Sequence, residues 1–360
     1  MPALATRTSI LRRTARRAAA VILPGALALT ATAWSMPVQT GSATTATATY
    51  VVATNGSDSN PGTTDRPLRT VAKGLRTVRP GGTLLIRAGT YAERIQNPTI
   101  AAGTAAAPVR VANFPGERPV ISGLLWLRSP SYWHLSGLNV TWSAANAGNE
   151  HMVKLTGGTG WSITEAEIWG ARSFAAILVV GGATNWRIAH NHVHDTYRTN
   201  DINQDHLIYV NNDGAGVIEG NVLATSLNGR AVKMGPPSAG AGNTRGVTIR
   251  YNTMLDNLGP SNVQAGWGTY DSLIYRNIMV KPAANRSAVT AFQLTGTGNV
   301  VRDNIAWQAV RVTDSSPGII NGGGNLLRDP KLVNLPGHPL TPTDTTAAAY
   351  GASADPTRAL

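Results

Sequence analysis

Two lysines, an arginine, a tyrosine and two histidines recur at fixed distances from a series of isoleucines. Nine positions before Ile163, Ile188 and Ile218 stand Lys154, Val179 and Tyr209; allowing for a glycine-rich insertion at 235–246, Lys233 holds the same place before Ile249. Twelve positions before the same isoleucines stand His151, Ala176, His206 and, with the same allowance, Arg230. If these segments are strands, alternation decides which way each side chain turns. Val153 and Leu155 go inward and Lys154 outward; Ile208 and Val210 inward and Tyr209 outward; Val232 and Met234 inward and Lys233 outward. The second series would face inward by the same count, which puts it on the bend where each strand begins. Stacked strands then bring Lys233, Arg230, Tyr209, His206, Lys154 and His151 to one surface strip, with ~5 to 10 Å between neighbours. Such a strip suits β-elimination from a uronic acid. A positive charge neutralises the sugar carboxylate, a base of lowered pKa takes the proton α to it, and the glycosidic oxygen departs.

Two long inter-strand segments, 195–205 and 235–246, flank this strip and are expected to wall one groove, since insertions between stacked strands become loops on one face. The first carries Tyr197 and Arg198, expected to bind substrate. It also carries Asp195, Asp201 and Asp205, with Asn200 and Asn203 beside them, an oxygen set that suits Ca²⁺; Asp213 is a further candidate. Acidic loop residues also serve as solvated turn caps. His190, His192 and His194 alternate along one segment and share a face if it is a regular strand, a spacing that can bind Zn²⁺.

The elements that must position these groups are written as a repeat. The pattern apolar, two residues, Asn, one residue, apolar occurs at Ile188-Asn191-Val193, Ile218-Asn221-Leu223, Ile249-Asn252-Met254, Ile274-Asn277-Met279 and Val301-Asn304-Ala306. Leu135-Leu138-Val140 and Ile163-Ala166-Ile168 keep the apolar spacing without the Asn. First members are 28, 25, 30, 31, 25 and 27 residues apart, the period of a stacked-coil protein. Short strand-like runs (153–155, 177–180, 207–210, 231–234) separated by Gly-rich turns leave no room for helices. A parallel β-solenoid follows, with the Asn amides stacked in a ladder where the strands bend. One helix is expected, Pro67 to Val78, as a lid on the N-terminal end.

The Asn ladder, the lines Trp161-Ser162-Ile163, Trp186-Arg187-Ile188 and Val247-Thr248-Ile249, and the entry phrase from Tyr50-Val51-Val52 through Asn55-Gly56-Ser57-Asp58 to Arg87-Ala88-Gly89-Thr90-Tyr91 carry a resemblance. Over residues 49 to about 335 the chain resembles the right-handed parallel β-helix proteins of the pectate-lyase-like superfamily. The resemblance implies an all-β right-handed solenoid and a polysaccharide lyase. By analogy with those lyases, Lys233 is the base, Arg230 the carboxylate clamp, and His206 with Tyr209 proton-transfer or substrate groups, with Ca²⁺ or a cationic clamp beside the base. The chain departs from the family's subclass patterns. It lacks Arg-x-Pro-x-x-Arg, Val263-Gln264-Ala265-Gly266 does not match a Leu-Arg-His-Gly run, and no Asp-Gly-Phe context lies near Lys233. The paired Asp-Asp and Gly-His-Gly of the hydrolases are also absent.

Composition fits an exported solenoid. The 360 residues include 38 Gly, no Cys and 14% charged residues, and the formal net charge is +12. Residues 1–33 read as a secretory leader: Arg7, Arg12, Arg13, Arg16 and Arg17 precede an apolar run too short to span a membrane. Residues 34–48 read as a flexible linker, 49–347 as one domain and the tail from Ala348 as loose. A secreted monomer acting on an acidic polysaccharide is expected, with no nucleic-acid partner and no organic cofactor. Two alternatives stand beside the lyase. A glycoside hydrolase would use Asp201, Asp205 or Asp213 as acid and base. A non-catalytic glycan-binding protein would use Trp142, Trp169 and Tyr197 as stacking platforms.

Overall fold

The computed structural model describes residues 47–147, 151–197, 205–335 and 338–358; the expected leader and nearly all of the linker lie outside them. Among these residues the chain coils through three arrays of parallel strands. The first runs from Thr49–Val52 through Trp186–Ala189 and Asp213–Glu219 to Ile319–Asn321. The second includes Glu167–Trp169, His192–Thr196, Val222–Ser226 and Thr253–Asn257, and the third Val153–Thr156, Ala175–Val180, His206–Asn211, Val232–Met234 and Val263–Gly266. The long strand Pro119–Arg128 belongs to both of these and joins them into one sheet. Each full coil passes from the first array to the second and then the third, as the alternating β-spacing of the sequence requires.

Inward side chains stack in files. Trp133, Trp161 and Trp186 are fully buried, and the last two rings stack at 5.7 Å. In the next coil Gly216 pairs with Trp186, and a Cβ there would strike the indole, so the file can pass from Trp to Val247 only through glycine. At the corner between the first and second arrays, Asn191, Asn221, Asn252, Asn277 and Asn304 form the expected ladder, and Asn325 extends it by one rung. Each Nδ2 donates to the Oδ1 of the next rung at 2.9–3.2 Å. Each also donates to a carbonyl of the preceding coil, as Asn252 does to Ile218 at 2.9 Å. The residue before each rung (His190, Gly220, Tyr251, Arg276, Asp303, Gly324) is left-handed, with φ of 51–67°. The dense hydrogen bonding of each rung offsets that backbone cost.

Two expectations need correction. The helix is shorter than Pro67 to Val78: it spans Val71–Thr77, because Thr70 caps it by accepting the Lys73 N–H, and Glu93 accepts the Val71 and Ala72 N–H groups. The stretch from Pro67 is instead held extended, with Asp58 accepting from Arg69 and Thr70. The tail from Ala348 is not loose. After the antiparallel hairpin Leu332–Leu335 and His338–Pro342, it runs along the side of the coils as a strap. Tyr350 packs on Ile278, Val280 and Ile305; the Ala352 N–H donates to Thr253; Asp355 meets His190 at 3.1 Å and Thr357 meets Arg187. Apolar Tyr350 and charge-paired Asp355 anchor a segment whose small residues gave no sign of anchoring. Gly220 lies beneath it, where any Cβ would collide with Asp355 and His190.

Candidate active site

Outward side chains of the third array form a column: Trp126, Lys154, Leu178, Tyr209, Lys233, Gln264 and Thr290. Lys154, Tyr209 and Lys233 stand in it as expected. Leu178, not Val179, completes it, because ten residues rather than nine separate the column from Ile188 in that coil; Val179 is inward and fully buried. Lys154 is three strands from Lys233, roughly 14 Å at the usual spacing. Its ammonium lies over the Trp126 ring at 4.0 Å, so it belongs to a separate point along the column.

Lys233 sits differently. It is 8% exposed, with its Nζ 4.6 Å from the centroid of Tyr209 and 5.7 Å from that of Trp267. Burial, aided by the nearby Arg230 charge, pulls its pKa down to about 8. Burial also lowers Arg230 to about 10 and raises Tyr209 to about 12. Among the described residues neither Lys233 nor Arg230 has a carboxylate partner. Two buried unpaired cations are costly unless something anionic meets them.

A cavity of about 340 Å³ opens against this part of the column, lined by His151, Phe174, Leu178, Tyr209, Lys233 and Pro237 together with Val180 and Asn211. Pro237 comes from the second long loop, as expected of a wall. His206 and Arg230 are brought beside Tyr209 and Lys233 but do not line the cavity, which corrects their placing on a surface strip. His206 opens its strand and Arg230 lies two residues before the strand Val232–Met234, so both share the inward parity of Ile208 and Val232. His206 is fully buried; its Nδ1 accepts the Arg230 N–H at 3.2 Å, and its ring meets Tyr209 edge-on at 5.8 Å. Burial and the cations around it keep its pKa far below the usual histidine range, so the ring is neutral with its proton on Nε2. His206 Nε2, the Tyr209 hydroxyl and Arg230 Nε are buried without a hydrogen-bond partner among the described residues. Native proteins rarely concentrate unsatisfied polar atoms in this way outside functional sites.

The remaining candidates are dispersed. Arg198 and Asp201 lie outside the described residues. Tyr197 is half-buried under the Arg172 guanidinium at 4.6 Å, away from the cavity lining. Asp195 lies within the second-array strand His192–Thr196 and bonds His194 at 2.8 Å. Asp205 is fully buried and accepts the Asn228 N–H with both oxygens, at 3.0 and 3.1 Å. Asp213 pairs with Arg245 at 3.4 Å. Asp195 and Asp205 therefore do not fit a shared Ca²⁺ shell, and the described cavity lining offers no carboxylate. Trp142, Trp169 and Tyr197 are only partly exposed, and Trp169 is stacked on His194. Gln264, Trp267 and Phe174 were missed. Gln264 was legible: it is the next residue of the column after Lys233, 31 positions on. Trp267 and Phe174 lie off the strand count and left no periodic signal.

Comparison with known proteins agrees with this architecture. A solved structure of XylC in complex with xylose superposes with a TM-score of 0.50 at 10% identity, covering 74% of this chain and 70% of that one. The crystal structure of pectate lyase Pel9A is similar at a TM-score of 0.47 and 14% identity, over 79% and 82%. The uncharacterized protein YwoF of Bacillus subtilis is 40% identical over 72 residues, so the match takes in 20% of this chain and only 15% of that protein. The model of the Pel9A-like right-handed β-helix region matches residues 50–234, a span that begins at the first strand and ends on the strand carrying Lys233. That span is just over half of the 360 residues, and the chain belongs to the Pel9A-like right-handed β-helix family.

Proposed function

We propose that the protein is a polysaccharide lyase that cleaves a uronic-acid-containing glycan by β-elimination, with Lys233 as the base. The observation that carries this is the Lys233 amine: buried, without a carboxylate partner among the described residues, at a cavity wall, and with a pKa of about 8. At neutral to mildly alkaline pH an appreciable fraction is the free amine, as proton abstraction requires. The buried Arg230 charge behind the cavity wall would favour a bound uronate carboxylate, while Lys233, as the free amine on that wall, would face the sugar's C5 proton. The amine would take the C5 proton, the C4–O bond would break to leave a C4–C5 double bond, and a proton donor would complete the leaving hydroxyl. Tyr209 suits that last step, since its phenol stays protonated and its hydroxyl has no partner among the described residues. His206 holds the Arg230 backbone and the Tyr209 ring and serves to position them. Lys154 and His151 would contact neighbouring sugars.

Hydrolysis is less well supported, since it needs two carboxyl groups about 5 to 9.5 Å apart and the described lining has none. The apolar leader supports action outside the cell. The test is incubation with pectate, alginate, chondroitin and heparin-type polymers, with and without chelator. A rise in ultraviolet absorbance from the unsaturated uronide on at least one polymer is expected, unchanged by chelator. New reducing ends without that absorbance would overturn the lyase in favour of a hydrolase.

A further inference from the structure

We propose that Glu167, His192 and His194 form a Zn²⁺ site on the outer face of the second array, apart from the Lys233 cavity. Strand alternation places His192 and His194 on one face of His192–Thr196, two residues apart. On the adjacent strand Glu167 pairs directly with His192 and Trp169 with His194. A ligand atom from each of Glu167, His192 and His194 lies within 4.8 Å of the others. Tetrahedral Zn²⁺ with bonds of about 2.0–2.2 Å needs its ligand atoms somewhat over 3 Å apart. Glu167 Oε1 and His194 Nε2 already stand at 3.3 Å, so the adjustment on binding falls to the atoms farther apart within that 4.8 Å limit. His190, the third histidine of the sequence pattern, is excluded: it occupies the left-handed corner, and its ring nitrogens face Glu165 and Asp355.

The surroundings favour a metal. His194 Nδ1 meets Asp195 at 2.8 Å, which turns Nε2 toward Glu167, 3.3 Å from its Oε1. A carboxylate on the far nitrogen is the usual way a ligating imidazole is oriented. Trp169 stacks on the His194 ring and His192 lies against it at 4.1 Å, so both imidazoles are held in place. Arg118 reaches the other carboxylate oxygen, Oε2, at 3.5 Å, leaving Oε1 to the metal side. Two imidazole nitrogens and one carboxylate oxygen suit a first-row divalent ion rather than Ca²⁺. Three protein ligands leave a fourth position open, beside a cavity of about 260 Å³ lined in part by Glu167, His192, Arg118 and Arg358. That position takes water or an anionic group.

The experiment is calorimetric titration of the untagged, chelator-stripped full chain with ZnCl₂, followed by metal analysis after dialysis. One Zn²⁺ per chain is expected. His192→Ala and His194→Ala should abolish binding, Glu167→Gln should weaken it, and Asp195→Asn should weaken it about ten- to hundred-fold, with each variant's melting temperature checked without metal. Co²⁺ in place of Zn²⁺ should give the intense visible absorption of a four-coordinate ion. No stoichiometric binding, or binding that survives both His192→Ala and His194→Ala, would overturn the site. Lyase activity on a polyuronate should be the same in wild type and Glu167→Gln, which separates this outcome from that of the Lys233 proposal.

Discussion

Lys233 is held in an environment that makes its charge expensive. Because its folded pKa of about 8 is below the ordinary 10.5, the unfolded chain binds more protons between those values. The penalty is therefore fully present below pH 8 and is relieved as pH rises toward 10.5. Lys233→Met, which keeps the stem and removes the charge, should stabilise the fold below pH 8 by up to roughly 3 kcal/mol. The gain should vanish by about pH 10.5, as read from denaturation midpoints across that range. With Lys233 as the proposed base, the same shift should set the activity profile. On a polyuronate, kcat/KM should rise with pH through an apparent pKa near 8 as the amine loses its proton, and a profile flat from pH 6 to 10 would remove Lys233 from the base role. At this scale the sequence was half legible. Lys154, Tyr209 and Lys233 followed from alternation alone. What alternation could not show was depth: His206 and Arg230 share the parity of the core, and only the packed coil reveals them as buried supports.

The elements are held by polar rungs as much as by apolar files. Asn252 Oδ1 receives both the backbone N–H and the Nδ2 of Asn221, while its own Nδ2 serves Ile218, Arg250 and Asn277. Asn252→Ala strands several of these groups in a dry corner and should cost about 3 kcal/mol, measured by urea denaturation; a loss under 1 kcal/mol would show that the ladder is dispensable. The C-terminal strap makes a second test. Tyr350→Ala should uncover Ile278, Val280 and Ile305 and cost roughly 2 to 4 kcal/mol, with faster proteolysis after residue 345 and no change in the strands themselves. The ladder was readable because five asparagines in one register have a physical purpose. The strap was not, because a line of alanines with one tyrosine and one aspartate reads as linker until the partner surface exists.

The whole molecule carries excess positive charge, yet only at the Lys233 cavity are two cations both buried and unpaired among the described residues. The proposed lyase should discriminate by substrate charge. A polyuronate whose carboxylates have been reduced to alcohols should be neither bound nor cleaved, since neither the cation contact nor the acidified C5 proton survives. The parallel solenoid was legible from a period near 28 residues. A calcium shell built on Asp195 and Asp205 was not excluded by spacing, and only the folded chain shows these two carboxylates engaged by a histidine and by a buried turn. The central claim is that Lys233 takes the proton, and the most direct measurement is single-turnover cleavage of the preferred polyuronate by wild type and by Lys233→Ala with matched melting behaviour. A loss of about 10²–10⁴-fold in the rate of unsaturated product, with substrate still bound, is the expected result. Product formed by Lys233→Ala at the wild-type rate would contradict it.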